Sequence, residues 1–277
     1  MEVVRGKITL VPEGGLGNRM RTIVAGIRLA QAVNAHLEIV WFQDWGLGCR
    51  YDVLFKPLAL HYVTIREATR ADLLLRDRPR RRNLWLPRIF ERLQYDVCIE
   101  GAEFHTPADE YIARCKGKNV WISSCGYFMS KITLPDYFNL FSPQDDIRKR
   151  IDQTAAAFGK RTVGVHLRRT DNAQSVNESP TALFIERMKA EPADTIFYLA
   201  SDSEEDKQLM KDVFGKRLIT SDRQAERGTT EGMKDAVTEM FLLSKTQHIL
   251  GSYYSSFSLI ASYISGKKLE IVKRQQQ

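Results

Sequence analysis

The chain of 277 residues contains only four cysteines, at positions 49, 98, 115 and 125, and no two stand in a C-x-x-C spacing. That excludes a disulfide-built scaffold and a cysteine-held zinc module, and it predicts a reducing, cytoplasmic setting. Long apolar runs are also lacking. None approaches the roughly 18 residues a membrane-crossing helix needs. The N-terminus, MEVVRGKITLVPEGG, lacks the basic-then-apolar layout of a secretory leader. No G-x-x-x-x-G-K-[ST], H-E-x-x-H or G-x-S-x-G occurs, so the P-loop, zincin and α/β-hydrolase chemistries have no motif here. There is no internal repeat, and low complexity is confined to Gln275, Gln276 and Gln277.

What is present is a globular composition: 43% hydrophobic, 10% aromatic and 27% charged. The length suits one large domain or two compact ones. The net charge of +7 is concentrated: from Arg76 to Arg92 seven arginines face only Asp77 and Glu91, so that window holds +5. A local excess of this kind suits phosphate groups, nucleic acid or an acidic membrane surface, and a solvated loop accounts for it equally well.

Short β-rich runs alternate with amphipathic ones, as in a parallel α/β architecture. Strands are expected over 6–12, 36–42, 95–100 and 118–124 in the first half, with a helix over 18–35 and loops or short helices over 44–94. The second half predicts strands over 161–167, 194–201, 216–221, 247–252 and 267–273. Helices are expected over 146–159, 180–191, 204–214, 229–246 and 256–265, the first of them bridging two sheets. The predicted domains are 1–143 and 144–277. In a doubly wound sheet the ligand site lies in the loops at the strand C-termini.

Four segments at such positions carry candidate chemistry. GGLGNRM (14–20) follows a strand and opens a helix. Gly15 and Gly17 allow a close backbone approach, and Asn18 and the helix N-terminus offer donors to a phosphate. VGVHLRRTDN (163–172) ends an apolar strand in His166, Arg168, Arg169 and Asp171. Adjacent guanidiniums there suit bidentate capture of phosphate. In YLASDSEED (198–206), Asp202 and Ser203 read as a helix cap or, more sharply, as a divalent-cation motif. In the fourth, Asp235 and Glu239 share a helix face suited to the N–H groups of guanine, and Ser252, Ser255 and Ser256 open an apolar helix suited to a diphosphate. Helix caps and solvated faces account for each segment separately, but not for all of them lying at strand C-termini.

GGLGNRM at 14–20, HLRRTD at 166–171, ASDS at 200–203, EMFLLS at 239–244 and SYYSS at 252–256 together resemble the fucosyltransferase superfamily. That group includes the α-1,6- and nodulation-type enzymes and, more distantly, α-1,2- and protein O-fucosyltransferases. The order and spacing agree over most of the C-terminal half, and in the N-terminal half only at the glycine turn. The resemblance implies a GT-B fold, two Rossmann-like domains facing a central cleft. The N-terminal domain would lie on the acceptor side, and the C-terminal one would hold GDP-fucose. It implies that Arg168 grips the β-phosphate with His166 near the nucleotide, and that Arg169 and Asp171 shape the donor loop. Asp202 matches the acidic residue after the domain's second strand, Glu239 the guanine-contacting carboxylate and Ser255 a phosphate-contacting serine. Gly15 and Gly17 would approach the diphosphate.

The sequence also departs from the α-1,6 pattern. Glu239 replaces Asp, which leaves Asp235 as a rival base reader. Asn172 replaces Lys, and Glu178 lies two residues beyond that group's acidic residue. GGLGN leans toward the α-1,2 enzymes. The implied activity is an inverting fucosyl transfer from GDP-fucose to a glycan or glycolipid hydroxyl, with no metal or cofactor and with Glu178 or Asp171 as candidate base. The expected role is polysaccharide biosynthesis at the inner membrane surface, with peripheral contact through Arg76–Arg92. Two alternatives stand beside it: a basic nucleic-acid-binding α/β protein, and a same-fold transferase using another nucleotide sugar.

Overall fold

The structure is a computed structural model, and it describes residues 6–75, 86–101, 106–126, 128–129, 137, 139–169, 173–223 and 226–274. Asp171 and Asn172 lie outside these residues, as does the Arg76–Arg82 part of the basic window. The chain divides into two compact units, Met1–Ser142 and Pro143–Gln277. Each is a five-stranded, fully parallel sheet with helices. Among the described residues no helix is long and apolar enough to cross a membrane.

Unit 1 runs β1 (Lys7–Pro12), α1 (Leu16–Val33), β2 (His36–Trp41), α2 (Tyr51–Leu54), β3 (Val63–Glu67), α3 (Arg70–Leu75), α4 (Leu86–Gln94), β4 (Val97–Glu100), α5 (Ala108–Cys115) and β5 (Asn119–Ser124). Its strand order is β3-β2-β1-β5-β4, so the chain leaves β3 at one edge and passes through α3 and α4 to reach β4 at the other. The 44–94 stretch, expected as loops and short helices, therefore also holds a strand. Residues 63–67 read VTIRE and form an edge strand with only Val63 buried, so no apolar run marks them. Edge strands need only one paired flank and tolerate charge.

Unit 2 runs α6 (Asp145–Ala155), β6 (Thr162–Leu167), α7 (Ala173–Glu178), α8 (Thr181–Lys189), β7 (Ile196–Ser201), α9 (Glu204–Phe214), β8 (Leu218–Thr220), α10 (Thr230–Ser244), β9 (His248–Ser252), α11 (Ser256–Ser265) and β10 (Lys268–Val272). The order β10-β9-β6-β7-β8 is the doubly wound arrangement, with its topological switch between β6 and β9. Central strand β6 is buried along its whole length, as parallel strands covered on both faces must be. Val163, Val165 and Leu167 pack with Phe184 and Met188 of α8 and Met210 and Phe214 of α9. The opposite face of β6 receives α10, and α6 packs on α10 inside unit 2. The expected 146–159 helix thus ends earlier, at Ala155, and has a local partner.

Candidate active site

The switch point of unit 2 places the sequence-predicted residues first. Strand period two turns His166 away from the Val163–Val165–Leu167 face. Its ring stacks on Phe257 of α11, centroids 4.8 Å apart, and Ser255 Oγ lies 3.4 Å from its Nδ1. Burial, with the Arg168 charge next, holds the imidazole well below its ordinary 6.5, at about 3, so it is neutral at physiological pH. The buried Ser252 ties the two central strands together: its Oγ donates to His166 O (3.0 Å) and accepts from Arg168 N (3.1 Å). Helix α11 sits tightly on β9, because a Cβ at Gly251 would come within 2.6 Å of Ser258 Oγ. Glycine there sets where the N-terminus of α11 lies. Ser255 is its N-cap residue, with no side-chain cap bond, and Ser256 is its first helical residue.

The adjacent arginines separate into two roles. Arg169 is held by the protein itself. Its Nε donates to Asp206 (3.1 Å), its guanidinium reaches Thr181 Oγ1 (2.9 Å) and Arg168 O (3.0 Å), and its N–H donates to Asp202 (2.7 Å). It locks β6 to α8 and α9. Arg168 places its Nε 3.9 Å from Asp202 Oδ2, and its side chain is 24% exposed. Asp202 also has Arg227 at 3.6 Å. Ser203 acts as the N-cap of α9, accepting from Asp206 N (3.2 Å), which is the capping role its sequence position offers.

A second group lies beside α10. Arg150 and Thr154 of α6, Tyr198 of β7, Ser221 and Arg223 beyond β8, and Asp235 and Glu239 are among the residues lining a pocket of about 260 Å³. Asp235 is committed to the protein, paired with Arg150 (3.0 Å) and Arg223 (2.8 Å). Glu239 makes no hydrogen bond among the described residues. Burial pushes its carboxyl up to about 8, helped by the negative charges of Asp235, Asp202 and Glu204 and opposed by Lys207. Lys207 is itself buried, donating to Glu204 (2.7 Å) and Arg223 O (2.8 Å). Asp202 is within electrostatic reach of both His166 and Glu239, so the two groups are neighbours. Arg227 and Lys207 belong to this site and were not anticipated. Each is a single basic residue in an ordinary loop or helix, with no pattern to mark it.

Glu178 ends α7, half-buried, and its backbone carbonyl accepts from Arg274 N (2.8 Å). In unit 1 the glycine turn sits at the C-terminal end of central strand β1. Gly14 has φ +78, Gly15 is the N-cap residue of α1 and Gly17 is buried in its first turn. Asn18 follows, half-buried. Arg19 of the same motif is completely buried. It donates to Gly14 O (2.8 Å), Phe42 O and Asp44 (2.7 Å), and lies over the Trp41 ring. Among the described residues no group of three His, Cys, Asp or Glu is placed to hold a metal ion.

No family model matches the chain, and no curated protein sequence matches it. Solved structures do. NodZ α-1,6-fucosyltransferase soaked with GDP-fucose superposes with a TM-score of 0.61 at 16% identity, over 94% of this chain and 92% of that one. FUT1 of Arabidopsis thaliana, a mutant in complex with GDP, gives 0.65 at 14%, over 98% and 70%. POFUT1 in complex with GDP gives 0.57 at 11%, over 98% and 99%. The chain shares the two-unit α/β fold of these proteins.

Proposed function

We propose that this chain is a glycosyltransferase that binds GDP-fucose in unit 2 and moves fucose, with inversion, to a hydroxyl of a glycan or glycolipid. The observation that carries the proposal is the presence in one unit of Arg168, at the switch point beside the N-terminus of α11, and of the Glu239 carboxyl, which lines a neighbouring pocket without a hydrogen-bond partner among the described residues. A guanine presents two N–H donors on one edge, and a carboxylate accepts both. A diphosphate needs a guanidinium and backbone N–H groups, which Arg168 and the start of α11 supply. Shared fold with NodZ, FUT1 and POFUT1 supports the same reading.

The chemistry follows from charge. As the bond from C1 of the sugar to the β-phosphate oxygen breaks, negative charge collects on the departing GDP and positive charge on the ring. A fixed guanidinium at the phosphate lowers that barrier. The acceptor oxygen bonds to C1 from the opposite face, which inverts it, and its proton passes to a base. Glu178 and Asp171 are the candidate bases. His166 stays neutral, so it adds no repulsion to Arg168 and offers its ring for packing and a hydrogen bond to Ser255. Ser252 fixes the Arg168 backbone from beneath.

The test is titration calorimetry with GDP, with and without EDTA, on wild type and Arg168→Ala. Saturable binding that ignores EDTA and weakens roughly 100-fold in the variant is the expected result, since a charged hydrogen-bonded contact contributes about 1.5–3 kcal/mol. Absence of GDP binding in wild type would overturn the proposal. Turnover of GDP-fucose in an acceptor screen then identifies the sugar and its destination.

A further inference from the structure

We propose that the outer face of α3 and α4 is a docking surface for an anionic lipid bilayer. In α4, Arg88 and Arg92 stand one turn apart, and Ile89 and Leu93 stand one turn apart beside them, so a basic stripe borders an apolar one. All four are exposed, Ile89 by 56% and Leu93 by 84%. Glu91, the one acidic residue of α4, is buried and lies off this face. Helix α3 packs against α4 and adds Leu73 and Leu74. Of the large apolar side chains that unit 1 exposes among the described residues, only Trp45 lies elsewhere.

The face is held in place rather than loosely attached. Thr69 and Asp72 cap α3 reciprocally, Thr69 N–H donating to Asp72 (2.8 Å) and Asp72 N–H to Thr69 Oγ1 (3.3 Å). Arg66 of β3 grips the same carboxylate (2.6 Å). Exposed leucines and isoleucine in a fixed array cost solubility unless something covers them.

Charge selects the occupant. On α4 the exposed charges are Arg88 and Arg92, the one carboxylate, Glu91, being buried. Arg88 lies 3.9 Å from Glu100, both about half exposed, a separation at which an ion pair has little strength in water. A bilayer with anionic headgroups satisfies both stripes at once: apolar side chains enter the acyl boundary while arginines stay at headgroup level. A nucleic-acid backbone would leave Ile89 and Leu93 uncovered, and a neutral protein surface would leave the arginines unmatched. This inference goes beyond the nucleotide reading and does not depend on it.

Co-sedimentation of the full chain with phosphatidylcholine vesicles, with and without phosphatidylglycerol, tests it. Binding is expected only with phosphatidylglycerol and is expected to fall steeply with salt. Ile89→Ser with Leu93→Ser should lower partitioning roughly tenfold or more, from the lost apolar burial. Arg88→Glu with Arg92→Glu should lower it by at least about fivefold per arginine. Unchanged thermal unfolding in both variants shows that the fold is intact, and GDP titration reports the other site separately. Failure to bind phosphatidylglycerol vesicles, or binding unaltered in either variant, would overturn the proposal. So would self-association abolished by the serine pair, or binding of DNA or RNA that survives it.

Discussion

Each unit carries an arginine soon after its central strand, Arg19 in the first turns of α1 and Arg168 directly after β6, and uses it in opposite ways. In unit 1 the loop after central strand β1 leads to Arg19, which turns inward, is fully buried, and spends its donors on Gly14, Phe42 and Asp44. In unit 2 the loop after central strand β6 leads to Arg168, whose side chain is partly exposed and whose Nε lies 3.9 Å from Asp202 Oδ2. Position after a central strand does not make an arginine an anion site; burial decides first, since Arg19 has no exposed surface to offer a ligand. Arg169 makes the same point within unit 2. Asp206 and Thr181 hold its guanidinium inside the protein, whereas Arg168 keeps a partly exposed side chain.

Substitutions at matched positions should separate the two uses. The largest effect is expected from Arg19→Ala, which leaves Asp44 buried without its cation. Unfolding in urea should show a loss of about 3–5 kcal/mol. The counterpart, Arg168→Ala, should alter stability by less than about 1 kcal/mol, since its side chain is partly exposed, while weakening GDP binding roughly 100-fold. A large stability loss there would break the contrast.

Next in size is Glu239→Gln. It should weaken GDP binding roughly tenfold by replacing a charged acceptor with a neutral amide. Asp235→Asn should act mainly on stability through Arg150 and Arg223.

His166 predicts a pH effect with a definite sign. Its pKa is lower in the folded chain than its ordinary 6.5. The unfolded state therefore binds a proton first, and the stability contribution of neutral His166 is complete above about pH 6.5 and declines as pH falls toward 3. Stability measured as wild type minus His166→Gln should fall over that window, and a flat difference would contradict burial of the neutral ring. The smallest effect, about 1 kcal/mol, is expected for Ser252→Ala, which removes one bridge between β6 and β9.

How much of this was legible in the sequence depended on burial. Strands β6, β7 and β9 stand out because both faces are covered and the residues read as apolar runs. Edge strand β3 carries Thr64, Arg66 and Glu67 and shows no such run. Helices α5 and α7, of eight and six residues, are too short for periodicity to show. The same limit governs the site. HLRR after VGV marks its own location, whereas the split between Arg168 and Arg169 is set by Thr181 and Asp206, 12 and 37 residues on from Arg169. Asp235 and Glu239 read as one face, but Arg150, 85 residues before Asp235, removes one of them from service.

The most direct test of the account is the proton balance of GDP binding. With its carboxyl pushed up to about 8 by burial, Glu239 is largely protonated at pH 7, and accepting two guanine N–H bonds requires the ionised form. Calorimetry at pH 7 in buffers of different ionisation enthalpy should therefore show more proton release in wild type than in Glu239→Gln, where only the GDP phosphate contributes. GDP binding with no proton exchange, or with the same exchange in the variant, would contradict the assignment of Glu239 as the residue that reads the base.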